Sequence, residues 1–115
     1  KHVLPHMEKR RSGHIINLYG GGGLTPAGAC AYMASKDAIR AFTRYVAEEV
    51  RGANVCVVIF SPRVPIVTET APAEAFKRLP GPEILGEGFV LAAQLPIDES
   101  GKIFSYQNGK LVNEA

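Results

Sequence analysis

Two short stretches of this chain are apolar almost residue by residue: positions 14–19, His14-Ile15-Ile16-Asn17-Leu18-Tyr19, and 55–60, Val55-Cys56-Val57-Val58-Ile59-Phe60. Continuous β-prone runs of this kind predict strands covered on both faces, as in parallel sheets sandwiched by helices. Between them, residues 32–51 change period. Ile39, Phe42, Val46 and Val50 recur at spacings of three and four and predict the buried stripe of a helix. Ala31, Ala34, Ala38, Ala41 and Ala47 add helix propensity and slim packing surfaces, while Arg40, Arg44, Glu48 and Arg51 take the wetter face. Glu48 stands four residues from Arg44, a spacing that suits an ion pair, and Gly52 is the expected stop. Strand, glycine loop, helix and strand make a right-handed βαβ unit, whose loops gather at the C-terminal ends of the strands.

The flanks extend this pattern. Residues 4–11 read as the last turns of a helix ending at Ser12-Gly13, with Lys9-Arg10-Arg11 placed favourably for the helix dipole. Residues 71–79 predict a short helix, interrupted by Pro80-Gly81-Pro82. Residues 83–95 predict a longer one carrying Ile84, Leu85, Val90 and Leu91, with Gly86 and Gly88 each weakening it by about 1 kcal/mol relative to alanine. Residues 101–106 predict a final strand before a turn at Asn108-Gly109. The fold class expected is α/β, with parallel strands and covering helices.

A length of 115 residues suits one domain, and 46% hydrophobic with 21% charged residues is the balance of a globular protein. The net charge of +2 is dispersed apart from the triplet at 9–11, which is too short to argue for nucleic acid. Cys30 and Cys56 have no metal-ligand or redox spacing; two reduced thiols are the default expectation, with one disulfide as the alternative. No run has the length of a membrane span, so the expectation is a soluble, cytoplasmic protein. The chain opens in the middle of a helical pattern, which suggests a fragment of something longer.

Chemistry concentrates at Tyr32 and Lys36, four residues apart on one face of the predicted helix. An ammonium beside a phenol favours the phenolate and makes an acid/base group able to exchange a proton with a hydroxyl or carbonyl oxygen. The Tyr-x-x-x-Lys spacing itself is weak: with four tyrosines and six lysines it arises by chance in roughly one such chain in five. Indeed Tyr106 and Lys110 repeat it across the Asn-Gly turn, where the two side chains need not share a face. The glycines at 20–23 do not complete a dinucleotide fingerprint, because the third glycine would fall on Thr25 or Pro26. They read as a loop beside a site or a plain surface loop.

In order and spacing, the residues resemble the C-terminal half of a short-chain dehydrogenase/reductase. The resemblance rests on Leu4-Pro5-x-Met7, Gly13-His14-Ile15-Ile16-Asn17, Tyr32-x-x-x-Lys36 with Ala38, Phe42-Thr43, Glu49-Val50, Asn54-Val55, Ser61-Pro62 with Thr68, and Ser100-Gly101-Lys102. It covers the chain to about residue 110. It implies part of a Rossmann-like doubly wound sheet, in which residues 1–115 are the catalytic half and the N-terminal cofactor-binding half is absent. By that resemblance the activity is NAD(P)-dependent hydride transfer on a small-molecule alcohol/carbonyl pair. Tyr32 would be the acid/base, Lys36 would bind the nicotinamide ribose, and Pro62 would pack against the nicotinamide. NAD or NADP is the expected cofactor of the parent, which would be a homo-oligomer through the Tyr/Lys helix.

Three departures bear on this reading. The family's serine would stand at position 19 or 20, occupied here by Tyr19 and Gly20, and nothing argues for Thr25 as a substitute. Losing one donor to a developing oxyanion costs roughly 2.7–4 kcal/mol. The family's Pro-Gly is Pro62-Arg63 here, and Arg63 is expected to point at solvent. The glycine fingerprint for the pyrophosphate lies outside these residues, so the chain by itself is expected to bind cofactor poorly and to be inactive. The alternative is a truncated or degenerate homologue that keeps the scaffold and an oligomer interface without catalysis.

Overall fold

Val55–Phe60 (β2) is buried along its whole length, and the other elements are arranged about it. In a computed structural model describing residues 1–20, 28–63, 66, 74 and 79–114, β2 lies between β1 (Gly13–Leu18) and β3 (Ile103–Gln107), parallel to both. A fourth strand, β4 (Lys110–Asn113), pairs antiparallel with β3. Helix α2 (Cys30–Val50) crosses from β1 back to β2, completing the expected βαβ unit. Helix α1 (Leu4–Arg10) precedes β1, and α3 (Gly86–Ala92) precedes β3. Apart from residues 74 and 79, the predicted helix at 71–79 falls outside the described residues, as do the loop glycines at 21–23.

Side chains alternate along β2 and divide the core in two. Val55 and Val57 pack with Ala47 and Val50 of α2, supported by Ile15, Leu4 and Met7. On the other face, Cys56 and Val58 meet Phe104 and Leu95, while Phe60 meets Leu85, Ala92 and Phe89. The Phe60 and Phe89 rings stack at 4.3 Å. Position 88 shows why a glycine interrupts α3: a Cβ there would lie 2.9 Å from the Phe60 ring and from Tyr106 Cβ. The missing side chain brings the helix onto the sheet.

Several expectations need correction. Phe42 is 59% exposed, and the face of α2 that is buried carries Thr43, Ala47 and Val50, with Ile39 and Val46 half-buried. Slim residues win that face because the helix packs close to the sheet, where Asn17 donates to the Thr43 hydroxyl at 2.9 Å. Glu48 pairs with Arg51 at 2.8 Å rather than with Arg44, and Arg51 leaves the wet face to donate to the carbonyls of Ile97 and Ser100. The left-handed turn after α2 falls on Asn54, φ 60°, beyond a short 3₁₀ turn at Arg51–Ala53, and not on Gly52. Likewise α1 ends on left-handed Arg11, while Gly13 opens β1 against the Met7 side chain. The helix expected at 83–95 is a 3₁₀ turn, Pro82–Leu85, followed by α3. β1 is half-buried rather than covered, because it has a single described neighbour.

Candidate active site

Tyr32 and Lys36 stand in the first turns of α2, at the end of the sheet where β1 and β2 finish. Leu18 and Phe60 are register partners, so the chain leaves both strands on one rim, and Pro62 lies two residues beyond β2. The topology thus brings the three predicted site residues to one end of the sheet. Tyr32 is 47% exposed and Lys36 half-buried. The Lys36 ammonium lies over the Tyr32 ring, 5.7 Å from its centroid, as the four-residue spacing requires. A phenol and a cation share one accessible face here.

The contrasting pair does not. Tyr106 and Lys110 sit on opposite strands of the β3–β4 hairpin, where Tyr106 is paired with Leu111. The Tyr106 hydroxyl donates to Glu87 at 2.6 Å, and that hydrogen bond pushes the phenol above its ordinary pKa.

At the position of the family's serine, the Tyr19 hydroxyl donates to Asp37 at 2.9 Å, and the Arg40 guanidinium lies 5.4 Å from the ring centroid. Asp37 is five residues past Tyr32, about 140° round the helix. The Tyr19 hydroxyl is thus engaged by Asp37. Asp37 and Arg40 were not among the candidates from sequence; a contact 18 residues apart between strand end and helix leaves no local signature. Thr25 and Thr68 lie outside the described residues.

Arg63 is exposed but not free. It forms an ion pair with Glu114, whose carboxylate also accepts the Ser105 hydroxyl. Two shallow grooves, about 350 and 240 Å³, run along the other flank of α2, lined by Arg40, Arg44, Gly101 and Lys102 among others. Neither of these two grooves includes Tyr32, Lys36 or Pro62. Both thiols are free, Cys30 exposed in the first turn of α2 and Cys56 buried in β2. Burial pushes the Cys56 thiol above its ordinary pKa.

The sequence profile of the short chain dehydrogenases matches residues 1–77. The chain belongs to the short-chain dehydrogenase/reductase family. It is 41% identical over 63 residues to an uncharacterized oxidoreductase of Staphylococcus saprophyticus, covering 52% of this chain and 26% of that protein. To the fatty acyl-CoA reductase of Acinetobacter baylyi it is 39% identical over 82 residues, 68% of this chain and 27% of that one. The fold is that of a candidate NAD(P)-dependent gluconate 5-dehydrogenase of Beutenbergia cavernae with NADP bound at low occupancy. That structure superposes with a TM-score of 0.69 at 24% identity over 89% of this chain and 47% of its own. The matches thus span about a quarter of the two relatives and under half of that structure. Among the described residues, no helix is long and apolar enough to cross a membrane.

Proposed function

We propose that residues 1–115 are the catalytic half of an NAD(P)-dependent oxidoreductase that interconverts a small-molecule alcohol and carbonyl. The observation that carries this reading is Tyr32 and Lys36 on one accessible face of α2, at the open end of a parallel sheet, in a member of this family. The hydroxyl and ammonium fit the nicotinamide-ribose end of such a cofactor. The pyrophosphate end would be held by the N-terminal half, since no glycine fingerprint is present in this sequence. When bound, the cofactor supplies or accepts the hydride.

In the reducing direction Tyr32 donates its phenolic proton to the substrate oxygen, and in the oxidising direction it takes that proton back. Lys36 keeps positive charge beside the phenol as negative charge develops there, and would hold the ribose hydroxyls of a bound cofactor. Pro62, two residues beyond β2, would supply the wall against which a nicotinamide packs. By the same resemblance the parent assembles through α2, whose outer face exposes Phe42 at 59% and Tyr45 at 69%.

A second reading, a homologue that keeps the scaffold without turnover, is favoured by one observation: the Tyr19 hydroxyl is engaged by Asp37, so among the described residues it is not offered as the usual second donor. The test joins this chain to an upstream Rossmann half and follows carbonyl reduction by loss of NADH or NADPH absorbance. Tyr32→Phe is expected to lower kcat by about 10²-fold or more. Equal rates in the two proteins would remove Tyr32 from the mechanism, and no turnover in the wild type would favour the second reading. The chain by itself is expected to bind cofactor poorly; a low-micromolar Kd would contradict the division of labour.

A further inference from the structure

Arg63 follows Pro62 where the family pattern has glycine, and its guanidinium forms an ion pair with one carboxylate oxygen of Glu114. The other oxygen accepts the Ser105 hydroxyl and, at 3.4 Å, the Gln107 amide, which also donates to Ser105 Oγ at 2.8 Å. Ser105 is fully buried, and the Glu114 side chain is 16% exposed. The backbone reinforces this arrangement. Glu114 N–H donates to the Ile103 carbonyl at 2.8 Å, and Ser61 N–H donates to the Phe104 carbonyl at 2.7 Å. Glu114 is thus seated on β3 by its main chain and its side chain before it meets Arg63. An isolated surface pair is worth little, but a carboxylate with both oxygens engaged by several donors forms a network.

We infer that Glu114 is a positioning residue: it tethers Arg63 to the C-terminal strands and thereby sets the Pro62 segment, against which the nicotinamide would pack. This deepens the reading of the site given above and rests on it. A glycine at position 63 has no side chain to tether, so the departure from the family pattern at 63 and the acid at 114 form a matched pair. The Ser105 hydroxyl above all, with Arg63 and Gln107, holds Glu114 below the ordinary carboxylate range against the opposing effect of burial, so the anchor is charged at neutral pH.

The test is a double-mutant cycle. In the full chain, Glu114→Gln and Arg63→Met are each expected to speed exchange of the Ser61 amide about fivefold, the double variant no further, and Arg63→Lys to stay near wild type. Exchange unchanged in the single variants, or additive in the double, would overturn the tether. In the chain joined to its upstream half, Glu114→Gln is expected to raise the KM for NAD(P)H about fivefold, with kcat within about twofold. Faster exchange with an unmoved KM would overturn the positioning role. Absence of turnover in the wild-type fusion would count against the catalytic reading instead, and the exchange cycle would still decide the tether.

Discussion

The two ends of the sheet are built to different ends. Where the strands begin, polar groups are bound to one another: Arg11 donates to the Gly52 carbonyl at 2.7 Å, Asn54 to the Arg11 carbonyl at 3.0 Å, and Arg51 to the carbonyls of Ile97 and Ser100. Ser100 Oγ accepts the Val57 N–H at 2.9 Å, inside the protein. Where the strands finish, Tyr32 and Lys36 meet each other and the solvent. At the first end the polar groups hold elements together; at the second, beside bonded pairs such as Arg63–Glu114 and Tyr19–Asp37, Tyr32 and Lys36 are left accessible.

The sharpest way to break that contrast is Ser100→Ala, which leaves the buried Val57 N–H without its partner. It is expected to cost about 1–3 kcal/mol, read as a lower urea midpoint with unchanged slope. Asn54→Ala, which loses the bond to Arg11 and places alanine at φ 60°, is expected to cost roughly 1–2 kcal/mol in the same measurement. Asn54→Gly should recover part of that loss.

A smaller effect follows from Glu114. Its folded pKa lies below the ordinary carboxylate value, so its stabilisation is fully present above that value and is lost as pH falls through the folded one. Wild type should exceed Glu114→Gln in urea midpoint at neutral pH, and the two should converge in acid. Smallest of all, Tyr32→Phe should change stability by no more than about 0.5 kcal/mol while removing turnover from the fused protein. A large loss of stability would mean that the two ends of the sheet are not so different.

Much of the architecture could be read from periodicity, because Val55–Phe60 and its neighbours are strong local patterns. The hairpin shows where reading stopped short. Asn108-Gly109 signals a turn, and both residues adopt positive φ, but the residues beyond it give no comparable signal for the strand Lys110–Asn113. That strand is four residues long and mostly exposed, so its composition carries little β signal apart from the turn itself. On α2, Val50 is buried and Ile39 and Val46 half-buried as their spacing implies, and Phe42 alone of that stripe is exposed. Phe42 is strongly apolar, but proximity to β2 selects volume over hydrophobicity, and Thr43 and Ala47 are what fit. At the candidate site, the Tyr32–Lys36 pairing is local and therefore readable. The partners of Tyr19 and Arg63 lie 18 and 51 residues away and depend on the fold having formed.

One further property is already built into α2. Cys30 opens the helix two residues before Tyr32 with its thiol exposed, while Cys56 lies inside β2, its thiol directed at the Pro96 carbonyl and its ionisation suppressed by burial. A maleimide dye added to the native chain should therefore attach at one place. Without any engineered cysteine, the molecule carries its own labelling point in the first turn of the helix that bears the dyad, from which fluorescence can report on that end of the helix.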